Sequence, residues 1–109
     1  MTRLTYYEQG NEISIELEGH AGAGEKGSDI VCAAISMLAQ ALISYLNIDH
    51  RMFDYSMKDG HVWCYAMGEN APVAFHVILT GFYLIRDNYP ECLSIERGCS
   101  IQRTPYLVD

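Results

Sequence analysis

The sequence predicts an α+β fold of order ββ-α-ββ-α-β, with two helices packed on an antiparallel or mixed sheet. Three observations carry it. Ile13, Ile15 and Leu17 alternate with Ser14, Glu16 and Glu18, the period of a half-buried strand. Two long segments, 30–47 and 71–89, repeat their apolar residues at helical spacing or are apolar throughout. Asp59-Gly60 separates two β-prone runs, 53–57 and 62–67, and is a strong hairpin turn signal. A length of 109 residues fits one domain over 1–109, long enough to bury a core without a disulfide or structural metal.

The elements follow in order. Residues 4–7 are β-prone and Gly10-Asn11 marks a turn, so 4–7 and 13–17 form a first hairpin. Four glycines in residues 19–27 make a loop. Ser28 suits an N-cap and Asp29 the first turn of a helix, which places Cys32 in that first turn. Val31, Ile35, Leu38, Leu42 and Tyr45 form its apolar stripe, while Cys32, Ser36 and Gln40 lie opposite. Asn70 is placed to cap the second helix and Pro72 lies near its first turn. That helix stops before Pro90. It is apolar nearly all round, which predicts deep burial or cover by a second subunit, with His76 as a core or interface histidine. Residues 92–95 suit a last strand, and the tail 98–109 has no clear period.

Composition removes several function classes. Fourteen acidic against seven basic residues give a formal charge of −7, unlike the basic stripe of a nucleic-acid binder. No uninterrupted run of about 18 apolar residues occurs, so no membrane span is expected. The first residues lack the apolar region of a signal peptide, so the chain is expected to be cytoplasmic, with Cys32, Cys64, Cys92 and Cys99 as free thiols. No C-x-x-C pair suggests a metal site, and none is expected. His61 and Trp63 fall on one face of their strand and Cys64 on the other, so they do not converge on a metal. The tyrosines Tyr6, Tyr7, Tyr55 and Tyr65 are candidates for lining a peptide groove.

The segment from Gly19 to Ser36 carries chemistry. His20 ends a strand, and Cys32 follows twelve residues later near a helix start. The positive end of the helix favours thiolate, and a nearby imidazole activates a thiol and then protonates a leaving amine. Amides at the helix start and in the loop are available to an oxyanion. These are the parts of a thiol protease or another acyl-transfer site. Asp29 would oppose ionisation of Cys32 but suits the orienting of His20. Ser36, one turn beyond Cys32, reaches sulfur or substrate, or serves as a small residue beneath the site. By spacing alone the pair is weak evidence, because most free cysteines are small buried hydrophobes. Gly22-x-Gly24-x-x-Gly27 lacks the βαβ context and the Lys-Ser/Thr of a nucleotide loop.

The whole segment adds more. Gly19-His20-Ala21, then Gly24-Glu25-x-Gly27-x-Asp29-Ile30-Val31-Cys32-Ala33-Ala34-x-Ser36, resembles the signature of the ribosomal-processing cysteine protease family, Prp. The resemblance implies a cysteine endopeptidase with no cofactor, which removes the N-terminal extension of ribosomal protein bL27 after a phenylalanine. It places the nucleophile on Cys32 and the general base and acid on His20, with Gly19, Asp29 and Ser36 in support. It makes Ala21, Gly22, Ala23, Gly24, Glu25, Lys26, Gly27 and Ser28 a substrate-binding flap. It also implies a homodimer, which would cover the apolar second helix. Lys26 and Ala23 depart from the family by standing where several members carry an aromatic or a larger residue. Two other readings remain: a non-catalytic ribosome-associated peptide-binding protein of the same fold, and a Cys-His acyl or thioester hydrolase.

Overall fold

The computed structural model describes residues 1–20, 26–49 and 52–98, and side chains within these except at 26–29, 49 and 52. The elements are β1 (Thr2–Gln9), β2 (Glu12–Glu18), α1 (Lys26–Asp49), β3 (Met52–Lys58), β4 (His61–Met67), α2 (Ala71–Asn88) and β5 (Leu93–Arg97). They form one mixed five-stranded sheet of order β3-β4-β2-β1-β5. Every neighbouring pair is antiparallel except β1 and β5, which run parallel. The α+β architecture and its element order are those the sequence predicts.

The alternation in β2 explains the layering. Ile13, Ile15 and Leu17 point to one face, and the register sets them beside Leu4 and Tyr6 of β1 and Val62, Cys64 and Ala66 of β4. Both helices pack there. Val31, Ile35, Ala39, Leu42, Ile43 and Leu46 of α1 join Ala71, Phe75, Leu79 and Phe82 of α2 in one core with those strand residues. The Tyr6 and Phe75 rings meet at 5.7 Å between centroids, tying β1 to α2. Within α1, Ile30–Ile48 has mean hydropathy 1.7 and the length to cross a bilayer, although no unbroken apolar run is present. In this fold its buried stripe closes the core instead.

The far face of the sheet is polar and ordered by charge. Arg3 donates to Glu18 directly opposite it at 3.0 Å, and His61 meets Glu16 diagonally at 2.6 Å. Glu16, Glu18 and His61 thereby bring three donor atoms within 4.8 Å of one another. Their ion-pair partners account for the cluster. Ser14 and Tyr65, opposite each other on this face, are 2% and 1% exposed. The alternation therefore gives the face of Ser14 correctly but not its burial.

Three local expectations change. Asn70 occupies the N-cap of α2 but makes no side-chain cap bond; its carbonyl accepts the Ala74 amide at 3.1 Å. α2 is not deeply buried all round: Val73, Val77 and Leu84 are well exposed. His76 is not a core residue either. It sits on the exposed flank of α2, where its Nε2 lies 2.7 Å from Glu8 Oε1 at the end of β1. The stop before Pro90 holds, with Tyr89 as C-cap donating its amide to Ile85.

Candidate active site

The site lies at one end of the sheet, under the N-terminal half of α1. A cavity of about 320 Å³ opens there, bounded by the ends of β1, β2, β3 and β4 and by one side of α1. From α1 come Cys32, Ser36, Ile35 and Ala39; from the exit of β2 come Gly19 and His20. Leu17, Met57 and Val62 add apolar surface, and the turn from Lys58 to His61 forms the opposite rim. Cys32 and His20, twelve residues apart in sequence and on different elements, thus share one cavity. Cys32 is half-buried and His20 exposed, so solvent reaches both.

Local sequence explains how His20 gets there. β2 must end sharply for the chain to turn toward α1. Gly19 does this at φ +94°, a left-handed conformation open to glycine. A Cβ at Gly19 would lie 2.7 Å from the Met1 carbonyl oxygen, so no side chain fits. The Gly19 amide donates to the Gly60 carbonyl at 2.9 Å, fastening the end of β2 to the β3–β4 turn. Gly19, singled out within the motif, therefore acts through its backbone.

Helix α1 brings a correction. It begins at Lys26, two residues before the predicted cap at Ser28, so Lys26, Gly27 and Ser28 are helical and not loop. Cys32 is then the seventh helical residue, in the second turn. The field of a helix end fades within its first turn, so the dipole acts on this sulfur less than the sequence suggests. The Cys32 amide itself is committed to the helix, and the amides left without an intrahelical partner are those of the first turn. Residues 21–25 of the predicted flap, and the side chain of Asp29, lie outside the described residues. Ser36 lines the cavity one turn beyond Cys32 as predicted.

The other thiols differ. Cys64 is fully buried in β4, and the loss of solvent pushes its pKa up to about 12. Cys92 is buried just before β5, as expected of a packed thiol. Among the described residues, no tyrosine lines the cavity. Met57 and Gly60 do line it, yet carry no motif; the one local signal is the Asp59-Gly60 turn, whose proximity to His20 depends on the pairing of β2 with β4.

Known proteins share the family and the fold of this chain. The family described as "Cysteine protease Prp" matches residues 1–94. A solved structure of SMU.848 from Streptococcus mutans is 30% identical, with a TM-score of 0.72, covering 89% of this chain and 93% of that one. Two structures of an essential ribosomal processing protease Prp from S. aureus, one with a covalently linked product peptide and one with a substrate peptide, are each 21% identical. Their TM-scores are 0.78 and 0.76, and each alignment covers 90% of this chain and 100% of the other. No curated protein sequence matches the chain. With 94 of its 109 residues matched by that family, the chain belongs to the cysteine proteases of the Prp family.

Proposed function

We propose that Cys32 and His20 form the catalytic dyad of a ribosomal-processing endopeptidase. The observation that carries this reading is that these two residues share an open cavity of a Prp-family chain, while His61 on the opposite rim is engaged by Glu16 at 2.6 Å. His20 takes the thiol proton as Sγ of Cys32 attacks the scissile carbonyl carbon. The C–N bond then breaks, His20 returns the proton to the departing amine, and an acyl-thioester remains on Cys32. Water attacks that thioester with His20 as base, which releases the new carboxylate and restores the thiol. Gly19 sets the exit angle of His20, Asp29 is assigned to orient the imidazole, and Ser36 supports the sulfur side.

The substrate we assign is the N-terminal extension of ribosomal protein bL27, cut after phenylalanine, in the cytoplasm. The apolar wall of Leu17, Ile35, Ala39, Met57 and Val62 suits a large apolar side chain beside the scissile bond. The peptide-bound S. aureus structures are consistent with a peptide substrate.

We further assign a homodimer through the outer side of the helices. Met37 and Tyr45 of α1 and Val73 and Val77 of α2 are exposed, and an apolar groove of about 300 Å³ runs between the helices there. A surface of this kind on a monomer marks an interaction site.

The test is incubation with a synthetic peptide spanning the bL27 extension and the first mature residues, read by mass spectrometry. One cut after phenylalanine supports the assignment. Binding without a cut by the wild-type protein would favour a non-catalytic peptide-binding role; turnover of a small thioester alone would favour a hydrolase of another class. Light scattering reads the dimer: a mass near twice 12.3 kDa is expected, and a monomer at micromolar concentration contradicts it.

A further inference from the structure

Gly60 lies in the β3–β4 turn at φ +80°, and two separate contacts converge on it. Its carbonyl accepts the Gly19 amide at 2.9 Å. On its other side, a Cβ built on Gly60 would lie 3.2 Å from Nε2 of His20, 3.7 Å from Cε1 and 3.9 Å from Cδ2. The Nε2 edge of the imidazole therefore rests against the bare Cα of Gly60. The residue that leads into His20 and the ring of His20 are held by the same turn residue. A methyl group at position 60 would meet the ring closer than ordinary van der Waals contact and would have to displace it by a few tenths of an ångström.

We propose that Gly60 is a positioning residue for His20, the absence of its side chain setting where the imidazole sits relative to Cys32. The role rests on the reading of His20 as general base and acid. Proton transfer at a thiol requires the ring within hydrogen-bond reach, and small misplacements of a reacting group lower the rate steeply. Position 60 thus bears on turnover through the imidazole, without supplying a reacting atom itself. Asp59-Gly60 is a good hairpin turn for local reasons alone, but those reasons also apply at Gly10 in the β1–β2 turn. Gly10 has φ +59°, and no described residue places an atom within 4 Å of where its methyl group would stand. The two glycines share the backbone demand, and only Gly60 has the histidine against it.

That pair supplies its own control. Gly10→Ala introduces left-handed strain without a contact; Gly60→Ala introduces strain and the contact. Cleavage of the bL27 extension peptide is followed for wild type and both variants, together with the NMR resonances of the His20 ring. Gly60→Ala is expected to lower kcat by about tenfold or more, with KM within about twofold, and to move the His20 resonances. Gly10→Ala is expected to leave both in place. A Gly60→Ala enzyme with kcat within about twofold of wild type and unmoved His20 resonances overturns the proposal, as does an equal kcat loss in Gly10→Ala. Should Gly60→Ala fail to fold, the nuclear Overhauser effect between His20 ring protons and Gly60 Hα in the wild-type protein decides: present, it supports the seat; absent, it overturns it. If wild type cuts no peptide, the proteolytic reading fails by itself, while the Overhauser effect and resonance shifts still judge the seat.

Discussion

Cys32 and Cys64 carry the same thiol in opposite surroundings. Cys32 stands on the solvent-reaching side of α1, half-buried, in a cavity it shares with an imidazole. Cys64 points from β4 into the core, with no exposed surface and a pKa pushed up to about 12 by burial. One is open to a base and a substrate; the other is held neutral and out of reach. Thiol chemistry in this fold is thus assigned by which face of which element carries the sulfur, since the residue type is the same at both positions.

Breaking the contrast on the Cys32 side gives the largest effect. Cys32→Ala is expected to lower peptide cleavage by at least about 10³-fold, measured as kcat/KM, because it removes the nucleophile. Cys64→Ala should leave that constant within about twofold while retaining the fold. His20→Ala comes next, with a loss of about 10²–10⁴-fold from the missing proton transfer. Stability sharpens the other side: Cys64→Ala leaves a small cavity in the core and should cost about 1–2 kcal/mol in urea unfolding, against little for Cys32→Ala.

The contrast also carries a pH dependence with a definite sign. The ordinary thiol pKa of 9.0 applies to unfolded Cys64, and the folded value lies near 12. Between these values the unfolded chain releases a proton that the folded chain keeps, so the contribution of Cys64 to stability is intact below pH 9 and falls as pH rises toward 12. The slope is at most about 1.4 kcal/mol per pH unit. Urea midpoints of wild type and Cys64→Ala should therefore converge between pH 8 and pH 10.5, roughly the rising part of that window. Parallel curves would show that Cys64 is not shielded as described.

Much of this was legible in the sequence because it is local. The alternation of β2, the Asp59-Gly60 turn and the stop before Pro90 each depend on a few adjacent residues, and all match the structure. The Gly19–Ser36 motif named the residues that meet in the cavity. What was not legible depends on distant pairing. Nothing local says that β5 lies parallel to β1, or that β2 pairs with β4 so that Gly60 comes beneath His20. The core reading of His76 failed for a related reason. Its neighbours Phe75 and Val77 are apolar, but only the stripe of Ala71, Phe75, Leu79 and Phe82 faces the core, and the flank carrying His76 meets Glu8 instead. The start of α1 moved for want of a decisive signal, since glycine and serine at 27 and 28 fit a loop end or a first turn equally well.

The central claim is that the acyl group passes through the sulfur of Cys32. It is tested most directly by acid-quenching the enzyme during turnover of the bL27 extension peptide and mapping the covalent adduct by mass spectrometry. A thioester on Cys32 is expected, with none on Cys64 or Cys92. Cleavage that proceeds in Cys32→Ala, or an adduct mapped to another residue, would contradict it.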